Sequence, residues 1–251
     1  AFKSCDEIAK VVIPANITNI DAYAFNSCSQ LEEVEFATGC KLETVGDYAF
    51  ADCVSITELQ LPTTITGIGE YAFKGCISIA KIDSETNGEM ILPENVTKIG
   101  AYAFQNLELM TKIVVPDTVM SIGLGVFKGC ESIIDITLPF VGESLNATYY
   151  NAVFGYIFGY DTSGLYGSDS YTSSMTYINK KYGNVAGGVW QYSCHNYKNF
   201  SSYYDTSYYY YIPTTINNVT ITVQTVIPIA AFNSCDFIEN ITLPQDVSIG
   251  D

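Results

Sequence analysis

The sequence predicts a repeat solenoid, a β-dominated body in which a unit of about 23 residues is laid down as stacked coils around a parallel sheet. Three observations lead there. Phenylalanine returns at Phe2, Phe25, Phe50, Phe73, Phe104, Phe127 and Phe232, three times at a spacing of 23 residues. Apolar residues keep fixed offsets from each phenylalanine. A run of the form apolar-x-x-apolar-x-apolar-Pro follows, and its end alternates with the period of a strand.

The unit is clearest from Ile68, where the chain reads Ile-Gly-Glu-Tyr-Ala-Phe-Lys-Gly-Cys-Ile-Ser-Ile. Five residues before phenylalanine stand Ile20, Val45, Ile68, Ile99, Ile122 and Ile227; one before stand Ala24, Ala49, Ala72, Ala103 and Ala231. Small alanine lets the turn approach its neighbours closely. The strand segment is seen as Ile8-Val11-Ile13-Pro14, Ile56-Leu59-Leu61-Pro62, Met110-Ile113-Val115-Pro116, Ile133-Ile136-Leu138-Pro139 and Ile238-Ile241-Leu243-Pro244. Its closing proline lacks an N–H for the ladder, so the strand ends and the chain turns, with short turns or 3-10 segments as connections. Such a unit buries its apolar side only against the units above and below it. The expected core is therefore a set of ladders of phenylalanine, alanine and aliphatic residues.

Two departures from the period are read as loops. Two extra residues accompany Ala37-Thr-Gly-Cys40, and eight enter at Asp83-Ser-Glu-Thr-Asn-Gly-Glu-Met90 before Ile91-Leu92-Pro93 resumes the frame. From Phe140 the repeat is lost for about 75 residues, too long for a structureless loop in a compact fold, and it returns at Ile216. The predicted organisation is repeats over 1–139, a tyrosine-rich island subdomain over 140–215, and resumed repeats over 216–251, with the array expected to continue beyond both ends.

The signature Ile-Gly-x-Tyr-Ala-Phe-x-x-Cys-x-x-Leu-x-x-Val-x-Leu-Pro resembles the leucine-rich repeats of BspA-like proteins. Within the island, Phe154-Gly-Tyr-Ile-Phe158 and Tyr211-Ile-Pro-Thr-Thr-Ile216 resemble an insertion found in BspA-like proteins of gut Firmicutes. The resemblance implies a leucine-rich repeat fold, an extracellular or cell-surface location, and adhesion to host or microbial surfaces.

A net charge of −16, with eleven lysines and no arginine, opposes nucleic acid, whose binding needs cationic neutralisation of phosphate. It opposes an anionic membrane surface equally. No apolar run approaches the roughly 20 residues of a membrane helix, so membrane insertion of this segment is not expected. Of the eight cysteines, Cys5, Cys28, Cys53, Cys76, Cys130 and Cys235 occupy one repeat position, and Leu107 fills it in the unit of Phe104. Leucine marks the slot as apolar, and parallel side chains on successive coils are poor geometry for a bridge. These thiols read as small buried hydrophobes. Cys40 and Cys194 lie outside the ladder.

Chemistry is thinly represented. His195 is the single histidine and follows Cys194 directly; adjacent residues of an extended chain face opposite sides, which is wrong for a nucleophile and its base. Asp83, Glu85, Asn87, Gly88, Glu89 and Glu94 have spacings like those of a calcium loop, but flanking strands, Ile91 and Pro93 fit a solvated acidic turn better. No cofactor and no metal are expected. Glu32, Glu33, Glu35, Glu58, Asp135 and Glu239 fall on the strand face among Lys10, Lys81 and Lys112, where a glycosidase pair could stand, although exposed repeat slots favour a binding surface.

Sixteen of the twenty tyrosines lie in the island, with Trp190. Tyrosine is favoured where proteins bind other molecules, and it equally serves as the core of a small insert poor in aliphatic residues. Candidate contact residues are Trp190, Tyr203, Tyr204, Tyr208, Tyr209, Tyr210 and Tyr211 in the island, and Glu33, Glu58 and Lys81 on the strand face. The expected function is non-enzymatic binding of a host or microbial protein or glycan. The alternative is a carbohydrate-active enzyme, or its binding accessory, on a longer polypeptide.

Overall fold

The computed structural model describes residues 1–159, 188–193, 208–228 and 230–249. Each coil starts with a turn that places two residues in the left-handed region, two before and two after its phenylalanine: Tyr48 and Asp52 around Phe50, Tyr71 and Gly75 around Phe73, Tyr102 and Asn106 around Phe104. Glycine, asparagine and aspartate suit that conformation, and tyrosine does not. Turn amides then bond from coil to coil. The Phe25 N–H donates to Ala49 O, Phe50 N–H to Ala72 O and Phe73 N–H to Ala103 O, each at 2.8 Å.

Two rows of short strands follow from the two apolar runs of the unit. The first row holds β1 (Lys10–Ile13), β3 (Glu33–Phe36), β5 (Glu58–Leu59), β7 (Lys81–Ile82), β8 (Glu89–Ile91), β10 (Lys112–Val114), β12 (Asp135–Leu138), β15 (Asn218–Ile221) and β17 (Asn240–Thr242). In the second row stand β2 (Asn19–Ile20), β4 (Thr44–Val45), β6 (Gly67–Ile68), β9 (Lys98–Ile99), β11 (Ser121–Ile122), β16 (Val226–Ile227) and β18 (Ser248–Ile249). All pairings within the rows are parallel. The solenoid with its parallel strands is thus as the repeat period implies.

Strand alternation decides what is inside. Leu59, Ile82, Met90, Ile113, Ile136 and Val219 form one buried column, and Val45, Ile68, Ile99 and Ile122 another. The phenylalanines stack with centroids 5.4 Å apart from Phe2 to Phe25, then 5.2, 5.5, 5.8 and 6.2 Å on to Phe127. Beside them the thiols of Cys28, Cys53, Cys76 and Cys130 donate to the carbonyls of Phe2, Phe25, Phe50 and Phe104 at 3.0 to 3.2 Å.

The segment after Asp83 corrects a sequence expectation. Read as a loop, it instead returns as β8, an extra strand between β7 and β10 in the first row, while β6 pairs directly with β9 in the second. The reason lies in the neighbours: the edges of β7 and β10 offer a ladder that Glu89–Ile91 completes. The first row is also broken once. β1 and β3 form their own pair, and β5 begins a seven-stranded sheet.

Residues 140–159 depart from the repeat sequence yet enter its core, with Phe140, Val141, Phe154, Ile157 and Phe158 buried. Two 3-10 helices, Tyr149–Ala152 and Phe154–Phe158, take the place of a turn. Phe127 N–H donates to Ile157 O at 2.9 Å on one side, and Phe154 N–H to Ala231 O at 2.8 Å on the other. A coil is completed by β15 after an excursion that contains the antiparallel hairpin of β13 (Gly188–Ser193) and β14 (Tyr208–Pro213).

Candidate functional site

The outward positions of the first row form one in-register column. Lys10 stands beside Glu33, Glu58 beside Lys81, Lys112 between Glu89 and Asp135, and Asn218 between Asp135 and Asn240. Period-2 alternation puts them there: from Glu33 to Asn218 each precedes a buried apolar residue, while Val11 after Lys10 is half-buried and Ile241 after Asn240 is exposed. Opposite charges on adjacent strands pair: Lys10 Nζ lies 3.1 Å from Glu33 and 2.6 Å from Glu35, Lys81 Nζ is 3.0 Å from Glu58, and Lys112 Nζ is 3.1 Å from Glu89. The hydrogen bond from Lys10 holds the Glu35 carboxyl below its usual range, and those from Ser84 and then Lys112 do the same for Glu89.

Of the three sequence-predicted residues on this face, Glu58 and Lys81 are partners and Glu33 is bound to Lys10. Glu33 and Glu58 nonetheless line a common cleft of about 610 Å³ at the break between β3 and β5, together with Val12, Glu32, Val34, Glu35, Phe36, Ala37, Thr57 and Gln60. Four glutamates, Glu32, Glu33, Glu35 and Glu58, make this cleft rich in carboxylates.

A second groove, of about 550 Å³, runs along the second row from Thr44 to Ser121 and ends at Glu143 and Tyr156. Its floor is a column of glycines. A Cβ on Gly123 would lie 2.2 Å from Ala101 N, and one on Gly100 would lie 2.5 Å from Glu70 N, so only glycine permits this spacing of coils. Next to the groove Tyr23, Tyr48, Tyr71 and Tyr102 stack with centroids 4.8, 4.6 and 4.8 Å apart and planes within 16°. The line stops at Gly125, where an added Cβ would strike the Tyr102 ring at 2.5 Å. Sequence reading missed this strip. Its signal was the tyrosine two residues before phenylalanine in four units, outweighed by the density of tyrosine in the island.

The island candidates fall in three groups. Tyr203 and Tyr204 lie outside the described residues, as do Cys194 and His195. Trp190 sits in β13 opposite Tyr211, while Tyr208 and Tyr209 of β14 stand opposite Ser193 and Tyr192. Tyr210, expected among the contact residues, is instead wholly buried with its cross-strand partner Gln191. Both anchor the hairpin. Gln191 Oε1 accepts the Gly155 N–H at 2.6 Å, and its Nε2 donates to Ala231 O at 2.9 Å. Tyr210 presses so closely on the 3-10 segment that a Cβ on Gly155 would be 2.4 Å from its own. Tyr211 is half-buried.

Burial pushes the thiols of Cys53, Cys130 and Cys235 up to about 12 and that of Cys76 well above its ordinary range. Thiols held protonated in this way are poor nucleophiles. The acidic insertion does not converge. Asp83 turns inward, its Oδ1 accepting the Leu61 N–H at 2.7 Å, while Glu89 bonds Ser84 and Lys112 and Glu85 is exposed. Among the described residues no group of three or more His, Cys, Asp or Glu side chains is placed to hold a metal. No helix among them is long and apolar enough to cross a membrane.

The family profile for the BspA type leucine rich repeat region matches in six copies, over residues 1–91, 86–154 and 192–251. No curated protein matches the chain. Among solved structures it is similar to the T. pallidum leucine-rich repeat protein, with 27% identity and a TM-score of 0.48 over 54% of this chain and 59% of that one. It is similar also to a leucine-rich repeat protein from Bacteroides ovatus, with 20% identity and a TM-score of 0.49 over 99% and 64%. A third is the pneumococcal vaccine antigen PcpA, with 19% identity and a TM-score of 0.46 over 96% and 52%. The chain therefore spans between about half and two thirds of the length of each of these relatives.

Proposed function

The chain belongs to the BspA-type leucine-rich repeat family, and on that premise we propose that it is a non-enzymatic binding protein of the cell surface or extracellular space, recognising a protein or glycan. The observation that carries the reading is the outward column of the first row. Nine equivalent positions, from Lys10 to Asn240, carry a charged or polar side chain. At about 4.8 Å per strand they extend over roughly 40 Å. Repeat proteins use such continuous surfaces for recognition. The cleft at Glu33 and Glu58 gives that surface its most distinctive feature, and Lys81 borders it.

The hairpin supplies the second element of the proposal. It stands on the solenoid through Gln191 and Tyr210, and brings Trp190 and Tyr211 into register at cross-strand positions. Aromatic residues so placed suit the anchors of an interface. Among the described residues of 140–215, a core-entering stretch is thus followed by a strand pair that carries Trp190 and Tyr211.

Binding should be measured against arrayed glycans and surface proteins with the parent chain, with a Glu33→Ala, Glu58→Ala, Lys81→Ala triple variant, and with Trp190→Ala, Tyr211→Ala. Exposed ion pairs contribute little to stability, about 0 to 1 kcal/mol each, so the triple variant should fold. Loss of binding in either variant supports a site on that element. A ligand held equally well by all three proteins would remove both surfaces from consideration.

A further inference from the structure

The tyrosine strip asks for an explanation that core packing does not give. Tyr23, Tyr48, Tyr71 and Tyr102 adopt φ values of 59°, 56°, 54° and 56°, a conformation that is strained for a bulky residue. Tyr23 is 42% exposed and the other three are half-buried. The ring faces are spent on one another, so what the strip presents outward is a row of phenol edges.

Charges divide this row into ends and a middle. Lys3 Nζ sits 5.0 Å over the Tyr23 ring and Lys128 Nζ 5.9 Å over the Tyr102 ring. Between them, the carboxylates of Glu70 and Asp47 act on Tyr48, and that of Glu70 acts on Tyr71. A cation near a ring makes an electron harder to remove, and an anion makes it easier. Electron loss anywhere in the stack is thus drawn to the middle pair, whose centroids at 4.6 Å are the closest of the three contacts. Their planes lie within 16° of each other, so the two rings overlie one another face to face.

We infer that Tyr48 and Tyr71 form an oxidative cross-linking site, at which a haem peroxidase acting with hydrogen peroxide joins the two rings and so clasps successive coils covalently. Each phenol gives its O–H hydrogen, one electron and one proton, to the peroxidase. One hydrogen peroxide accepts two electrons and two protons and leaves as two waters. The two phenoxyl radicals pair their odd electrons in a bond between ring carbons ortho to oxygen, Cε of Tyr48 and Cε of Tyr71. Each of these carbons then loses its hydrogen as a proton while the adjacent oxygen regains one. Both phenols are restored, and the product is lighter by two hydrogens.

Other described tyrosine pairs are less suited. Tyr156 and Tyr210 lie 6.5 Å apart at 57°, and Tyr210 is fully buried. The test treats the dilute full chain with a haem peroxidase and limiting hydrogen peroxide, isolates the monomer, and maps linked peptides by tandem mass spectrometry. Expected is a monomer lighter by two hydrogens in which the Tyr48 and Tyr71 peptides are joined. Tyr48→Phe and Tyr71→Phe, which keep the ring stack, should each lose that linked peptide, and Tyr23→Phe should retain it. Cross-links confined to other tyrosines, products formed only between chains, or an undiminished yield of linked monomer in Tyr71→Phe would overturn the inference.

Discussion

The regular coils and the interrupted one bury the same kind of surface by different means. From Phe25 to Phe127 identical rings stack with planes within 13°, and every coil repeats its neighbour's contacts. In the interrupted coil Phe154 meets Phe232 at a tilt of 40°, and the hairpin is held by the single side chain of Gln191, which accepts from the Gly155 N–H and donates to Ala231 O and Cys235 Sγ. A ladder of like residues is redundant and tolerant, whereas an anchor built on one buried amide is specific and fragile. Stability in the first region should therefore be shared, and in the second localised.

The strongest test of that contrast is Phe73→Ala. It removes a rung from the shared stack and leaves a cavity, at an expected cost of roughly 3–5 kcal/mol read from the denaturant midpoint. A loss confined to local hydrogen exchange near Phe73, with the global midpoint unmoved, would mean that the coils unfold independently.

Gln191→Leu should cost less and act locally. It strands the buried Gly155 N–H, worth about 1–3 kcal/mol when left unpaired, while the Ala231 carbonyl keeps its bond from the Phe154 N–H. The expected readout is faster exchange of the amides around Tyr210 and Ile212, with a smaller global shift than for Phe73→Ala. Equal global losses would make the hairpin an integral part of the solenoid's cooperative unit.

The third effect is confined to a window of pH and concerns Asp83, whose carboxyl replaces a strand partner for Leu61 at the point where the first row departs from its period. Burial raises it from its ordinary 3.8 to about 7, against the opposing hydrogen bond from Leu61. Because the folded state holds the proton more tightly, this group's contribution to stability is complete below about 3.8 and is lost as pH rises to about 7. Asp83→Asn keeps the acceptor and removes the titration. Relative to the parent it should therefore gain stability as pH rises across that window. A difference between the two proteins that is flat with pH would assign no role to burial of the charge.

The columns were legible because a stack has one register, and each apolar offset from phenylalanine maps onto a single row. Leu107 in the cysteine slot was enough to reveal an apolar environment. It could not reveal that the thiols donate across coils to phenylalanine carbonyls, because that needs the spacing of neighbouring backbones. The strand at Glu89–Ile91 was illegible for a related reason: three residues carry no period of their own, and it is the edges on either side that order them. Residues 140–159 hid in the same way, keeping the apolar character of a turn but not its spacing. On the candidate surface, the outward positions of Glu33, Glu58 and Lys81 followed from alternation. The cleft beside them did not, because it lies at the break between β3 and β5, which alternation does not mark.

The extra strand β8 also has a meaning for the charged column. One face of the solenoid is longer by a strand spacing, about 4.8 Å, while the phenylalanine rings on either side stay 5.8 Å apart. The first row thus takes in a strand that the second row lacks, since β6 passes directly to β9. For the binding role proposed above, the expected consequence is that Lys81 and Glu89 stand one strand apart within a single coil, so that a ligand reading one contact per coil meets an extra charge there.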